Sequence, residues 1–183
     1  MDKVIESVPP GSDHLICTPW MLGERCPVSS TTTRATLFNI SMDHTREHML
    51  RAVYEGIGYN LRWILENYQE DYDFDCDNFR ILGGGGLDAG WMQIIADITG
   101  KTFSVVKDPR NAGAVGAAMV ALIGLGHIRS FADTKAFVKI EATYRPDPRN
   151  REIYDKLFED YKRVYRSLEY AYKKANRSRF ESE

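Results

Sequence analysis

Residues 79–100 read Phe79-Arg-Ile-Leu-Gly-Gly-Gly-Gly-Leu-Asp-Ala-Gly-Trp-Met-Gln-Ile-Ile-Ala-Asp-Ile-Thr-Gly100, a short buried strand, a four-glycine turn and an amphipathic helix closed by glycine. Glycines at such a turn remove the side chains that keep a ligand away from the backbone, and the first turn of the following helix offers unpaired N–H groups at its positive end. A nucleotide is therefore the leading ligand. The alternative is a turn that only needs positive φ, although four glycines exceed that need and each costs about 0.5–1 kcal/mol relative to alanine.

Outward from this stretch, Thr102–Val106 reads as a second strand and 107–111 as a loop. An Ala/Gly helix from Ala112 to about Ile123 follows, its flat side of Gly113, Gly116, Ala117 and Ala121 suited to close packing. Upstream, 14–18 reads as a strand, and Trp20–Ala35 as a long loop rich in hydroxyls, of the kind that often carries function. A helix is expected after Asp43, as N-cap, to about Tyr68, with Leu50, Val53, Tyr54, Ile57, Leu61, Ile64 and Leu65 on its core face. Ala52 and Gly56 lie four apart on another side, where a neighbouring backbone could come close. Further on, 136–141 reads as an edge strand. Asp147-Pro148 starts a last helix to about Asn176, with a stripe of Ile153, Tyr154, Leu157, Phe158, Tyr161, Val164, Tyr165 and Leu168.

The 183 residues, 43% hydrophobic, are enough for one domain with a real core. With 24 basic against 26 acidic residues the net charge is -2, so no global field draws the chain to nucleic acid or to an anionic membrane. Cys17, Cys26 and Cys76 form no C-x-x-C pair and leave one unmatched, which favours a reducing cytoplasm over a disulfide framework. The longest apolar stretch, 112–126, is too short and too rich in glycine to span a bilayer, and Asp2, Lys3 and Glu6 do not make a signal peptide.

Other motifs compete with the nucleotide reading. Gly100-Lys101-Thr102 ends like a P-loop, but Ile95 stands where its first glycine belongs. His44-Thr-Arg-Glu-His48 spells the H-x-x-E-H order of inverted zinc peptidases, without a third ligand in view. The alternating aspartates of 71–78 lack the glycine and glutamate of an EF-hand. Gly84-x-Gly86-x-x-Ala89, followed by a strand with Asp108 near its end, fits dinucleotide (NAD) binding locally, although the rest of the chain does not supply repeated strand and helix units.

Read in order, several segments resemble the C-terminal domain of the FGGY family of carbohydrate kinases, most closely its xylulokinase-like branch. Thr18-Pro-Trp-Met-Leu-Gly-Glu-Arg-Cys-Pro27 is similar to the family's P-Y-L-x-G-E-R-x-P loop, and Ala35–Ile40 with His48–Gly56 to its second signature. Gly83–Gly100 is similar to its G-G-G-x-x-x-x-x-W-x-Q-I-x-A-D-x-x-G element, Ala114–Ala121 to its A-x-G-A-A helix, and Tyr144–Tyr165 to the P-x-P-x-N-x-x-x-Y ending. Asn39, Asp88, Ala89 and Asn111 depart from the usual residues.

The resemblance implies an α/β actin-like fold, of the ribonuclease H-like kind shared with hexokinase and the heat-shock ATPases. This chain would be its C-terminal half, a mixed sheet with flanking helices over 1–176, the first strands missing and 177–183 a frayed tail. It implies ATP held by Gly84, Gly85, Gly86 and Ala89, and Mg²⁺ held mainly by parts of a kinase outside this chain. The γ-phosphate would pass to a sugar hydroxyl, xylulose being favoured, in a cytoplasmic enzyme. Gly23, Glu24 and Arg25 are placed at the cleft, an exposed Glu24–Arg25 ion pair being the alternative. No catalytic residue and no metal ligand is assigned within the chain. It is expected to be a fragment that is inactive alone, to need an N-terminal kinase domain as partner, and to be prone to homodimer formation through uncovered apolar surface. A non-catalytic nucleotide-binding or interaction module is the other class left open.

Overall fold

The computed structural model describes residues 7–73 and 76–176; the expected tail of 177–183 lies outside them. Its strands are β1 (Ile16–Thr18), β2 (Thr36–Phe38), β3 (Asn78–Ile81), β4 (Thr102–Val106) and β5 (Ile140–Tyr144), and its helices α1 (Arg46–Tyr72), α2 (Ala89–Thr99), α3 (Ala112–Gly124) and α4 (Arg151–Asn176). β1 and β2 form an antiparallel ribbon with Ile16 opposite Phe38. β3 and β4 run parallel, joined through α2, and β5 returns antiparallel to β4, giving a mixed sheet of order β3-β4-β5.

The aromatic stripe of α4 does what its period demands. Tyr154, Leu157, Phe158, Tyr161, Val164 and Tyr165 are buried against Ile16, Trp20 and Tyr59. A second cluster lies on the sheet, where Met92, Ile95 and Ala96 of α2 meet Phe103 and Val105, with Leu61 of α1 and Phe79 and Ile81 packed beside them.

α1 starts two residues later than expected. His48 Nδ1 reaches back to the Thr45 N–H at 3.2 Å, in the manner of a capping box, while the Asp43 N–H is used on Ser41 Oγ in the preceding turn. Its core face is also corrected. Leu50, Val53 and Ile57 are more than a third exposed, whereas the buried side carries Arg51, Ala52, Glu55, Gly56, Tyr59 and Arg62. The apolar stripe is covered where Tyr54 packs on the first cluster and where Leu61 reaches the sheet. On the opposite side Gly56 lets β1 approach so closely that a β-carbon would collide with the Cys17 carbonyl oxygen.

Charge on that buried side is tolerable because it is fully paired. Glu55 accepts from Arg51 Nε at 2.8 Å, the Gly11 N–H at 2.9 Å, Ser12 Oγ at 2.8 Å and the Tyr154 hydroxyl at 3.0 Å. Arg51 also donates to the Val8 carbonyl and the Tyr154 hydroxyl. The Arg51–Glu55 pair thus ties 8–12, α1 and α4 together, and the carboxylate alone holds Gly11 and Ser12. It also anchors three consecutive residues of positive φ, Ser12, Asp13 and His14, a conformation that costs free energy outside glycine. Burial and the nearby Glu55 charge push the Tyr154 phenol far above its ordinary range, so it stays a donor.

Three further expectations are corrected. The strand before the glycine turn is half-exposed, not buried, because among the described residues only β4 pairs with it. The flat side of α3 packs on nothing among the described residues: none of its own residues is buried, and a β-carbon at Gly113 or Gly116 would meet no described atom within 4 Å. Residues 131–137 form a 3-10 segment, which delays the last strand to Ile140.

Candidate nucleotide site

The glycine turn links β3 to α2 as a short 3-10 segment, Gly84–Leu87. Its glycines divide into two kinds. Gly86 is buried against the sheet, where a β-carbon would press on Val105 and Ile81 at 3.0 and 3.1 Å, and a β-carbon on Gly85 would lie 2.6 Å from the Trp91 ring. Those two are glycines for packing. Gly83, at φ +92°, has open space on its side-chain direction, and Gly84 has only the Arg110 guanidinium, 3.8 Å away.

Hydrogen-bond accounting sharpens the division. The Gly83 N–H donates to the Pro109 carbonyl at 2.8 Å and Gly86 donates back to Gly83, so the turn is locked to the 109–111 turn beside it. The N–H groups of Gly84, Gly85 and Ala89 find no acceptor among the described residues, and Ala89 is exposed. They form a row of donors open to an anion. Asp88 is the N-cap of α2, its Oδ1 accepting the Trp91 N–H at 3.0 Å. The end of α2 therefore already holds a carboxylate.

Trp91 leans on Tyr54 of α1 at 5.7 Å between centroids, and its buried indole N–H has no partner among the described residues. This contact sets the glycine turn beside the uncovered apolar stripe of α1, so donors and apolar surface adjoin. Such a pairing suits a ligand with an anionic end and a flat apolar body.

Gly23, Glu24 and Arg25 lie apart from the turn, with no hydrogen bond or ion pair joining the two groups among the described residues. They line a cleft of about 380 Å³ with Leu22, Ser30 and Thr31. Gly23 is at φ +75°, with the Ser30 carbonyl where a β-carbon would go. Glu24 makes no ion pair with Arg25. Its Oε1 accepts the Arg25 and Cys26 N–H groups at 2.7 and 3.4 Å, and Oε2 takes Asn60 Nδ2 at 3.5 Å, which ties the loop to α1. Arg25 is exposed. A larger cleft of about 470 Å³ lies under α3, lined by Arg80, Leu82, Val106, Val115, Met119 and Phe137; Asp108, the acid of the dinucleotide alternative, lines it too, and none of the residues expected to hold ATP does.

The H-x-x-E-H motif is spent on structure. His44 Nδ1 accepts the Ser41 N–H at 3.0 Å and Nε2 meets the Asp13 carbonyl at 3.2 Å; His48 Nδ1 caps α1 and Nε2 meets the Asp13 carboxylate at 2.9 Å. No group of three or more His, Cys, Asp or Glu suited to a metal ion occurs among the described residues. No helix among them is long and apolar enough to cross a membrane.

A parallel strand-turn-helix-strand unit extended by an antiparallel strand, with an open donor row at the turn, makes an α/β domain with a mixed sheet, in keeping with the actin-like class that the resemblance implies. The comparisons agree and give the family. The model of the FGGY family of carbohydrate kinases, C-terminal domain, matches residues 2–125, and the chain belongs to that family. It is 33% identical over 162 residues to the xylulose kinase of Bacillus subtilis, covering 88% of this chain and 32% of that protein. It is 32% identical over 168 residues to the gluconokinase of the same organism, covering 92% and 30%. The crystal structure of ligand-bound xylulose kinase from Lactobacillus acidophilus matches with a TM-score of 0.86 at 26% identity, over 95% of this chain and 35% of that one. The chain thus spans about a third of the length of the relatives it matches.

These findings overturn the dinucleotide alternative. β5 runs antiparallel where a dinucleotide-binding sheet continues in parallel. Asp108, the acid that would take a ribose, accepts Asn111 Nδ2 at 2.8 Å instead.

Proposed function

We propose that this chain is the ATP-binding portion of a cytoplasmic sugar kinase, in which the ATP γ-phosphate passes to a hydroxyl of the sugar. The observation that carries the reading is the open row of N–H donors at Gly84, Gly85 and Ala89, on a turn held rigid by Gly86 against the sheet. These donors would take the phosphate side of the nucleotide, while the base lies toward Trp91, Tyr54 and the exposed Leu50 and Val53. Catalysis of phosphoryl transfer consists mostly of positioning and charge stabilisation, so a rigid cradle is a fitting contribution.

Xylulose is the favoured acceptor, because xylulose kinases outnumber gluconokinases among the similar proteins; gluconate and 3-keto-L-gulonate are named as well. No three acidic or imidazole groups suited to a metal ion come together among the described residues, and the Mg²⁺ of a kinase would be held by the nucleotide phosphates and mainly by parts outside this chain. The uncovered faces of α1 and α3 would receive the N-terminal kinase domain, or a second copy of the chain when that domain is absent.

Calorimetric titration with ADP tests the reading. Saturable binding, competed by ATP and not by NAD, is the expected result, together with no phosphorylation of xylulose by the chain alone. Absence of ADP binding would overturn it.

A further inference from the structure

Resting on the nucleotide reading, we infer that Arg110 is the side chain by which this chain holds the nucleotide phosphates beside the donor row, and that it supplies the positive charge which the end of α2, carrying Asp88, does not. The Asp88 carboxylate occupies the end of α2 by accepting the Trp91 N–H, so an incoming phosphate meets a like charge there. The positive group nearest the open glycine is instead the Arg110 guanidinium, whose Nε lies 3.8 Å from the side-chain position of Gly84.

Its placement is fixed by the backbone. The Gly83 N–H to Pro109 carbonyl bond clamps the two turns together, and Pro109 is buried. Arg110 itself is exposed and makes no hydrogen bond or ion pair with another described residue, so it has no structural task that would compete with ligand binding. A guanidinium offers paired donors that match two phosphate oxygens. With the Gly84 and Gly85 N–H groups it makes a three-point anion cradle. Because recognition runs through phosphate, the chain should distinguish ADP from adenosine by this residue, and lose that distinction without it.

The experiment is calorimetric titration of the full chain and of Arg110→Ala and Arg110→Lys with ADP and with adenosine, at two salt concentrations. Arg110→Ala is expected to weaken ADP about tenfold and to flatten its salt dependence while leaving adenosine and the melting temperature unchanged. Arg110→Lys should recover part of the loss. Equal ADP affinity in Arg110→Ala and the unsubstituted chain would overturn the role of Arg110 and leave the nucleotide reading standing. Failure of the unsubstituted chain to bind ADP would overturn both.

Discussion

Arg51 and Glu55 stand one turn apart on α1 with 2.8 Å between Nε and Oε1, both buried, on the side of the helix where the apolar period predicts no core. Removing one member of a buried pair strands the other without solvent, at about 3–5 kcal/mol, whereas replacing both with apolar groups costs far less. Glu55→Ala is therefore expected to lower stability by about that amount in urea unfolding, and more than Arg51→Met/Glu55→Leu together. A double variant as unstable as the single one would show that Glu55 matters through its bonds to Gly11 and Ser12 instead.

Glycines at matched helical positions should respond with opposite sign. At Gly56 an added methyl meets the Cys17 backbone, which cannot move without disturbing β1, so Gly56→Ala should cost at least about 1–3 kcal/mol. At Gly116 of α3 it meets nothing, and the helix gains about 0.5–1 kcal/mol from the better helix former. Thermal melts of the two variants should move in opposite directions.

Local order was legible in the sequence, and its partners were not. β4 falls on 102–106 as its period indicates, and α2 ends at Gly100 because that residue takes φ +70°. The direction of α1 could not be read, because periodicity identifies an apolar stripe without saying what covers it. Glu55 becomes a core residue only through groups 44 residues upstream and 99 downstream. β2 exists through its register with β1, across the hydroxyl-rich loop, and carries no strong alternation of its own. The glycine turn was visible as a turn, but the division of labour among its glycines depends on Trp91, Val105 and Arg110. Of these only Trp91 lies near it in sequence.

Burial raises the Cys17 thiol from its ordinary value near 9 to about 11. The folded chain then holds this proton more tightly than the unfolded chain does. Its contribution to stability is complete below pH 9 and is lost as the pH rises from about 9 toward 11. A Cys17→Ser variant should show a flatter decline across that window. At pH 8 a thiol reagent should label the exposed Cys26 and spare Cys17 until the chain is unfolded. Rapid labelling of Cys17 in the native chain would contradict the burial.

Asp88 carries two effects that substitution separates. Its carboxylate caps α2 through the Trp91 N–H, and it puts a negative charge at the end of that helix, next in the chain to the glycine turn. Asparagine keeps an oxygen able to accept that bond and removes the charge, so Asp88→Asn should leave the fold within about 0.5 kcal/mol of the parent. The same change should tighten ADP by a few-fold, most at low salt where like charges repel over longer range. Alanine removes the cap as well, and Asp88→Ala should lose about 1 kcal/mol of stability whatever it does to the ligand. Calorimetry and urea unfolding on the three proteins decide the matter: an Asp88→Asn variant that binds ADP more weakly than the parent would mean that the carboxylate contacts the nucleotide directly, as an acceptor for a ribose hydroxyl, and that the phosphates lie away from the end of α2 for that reason.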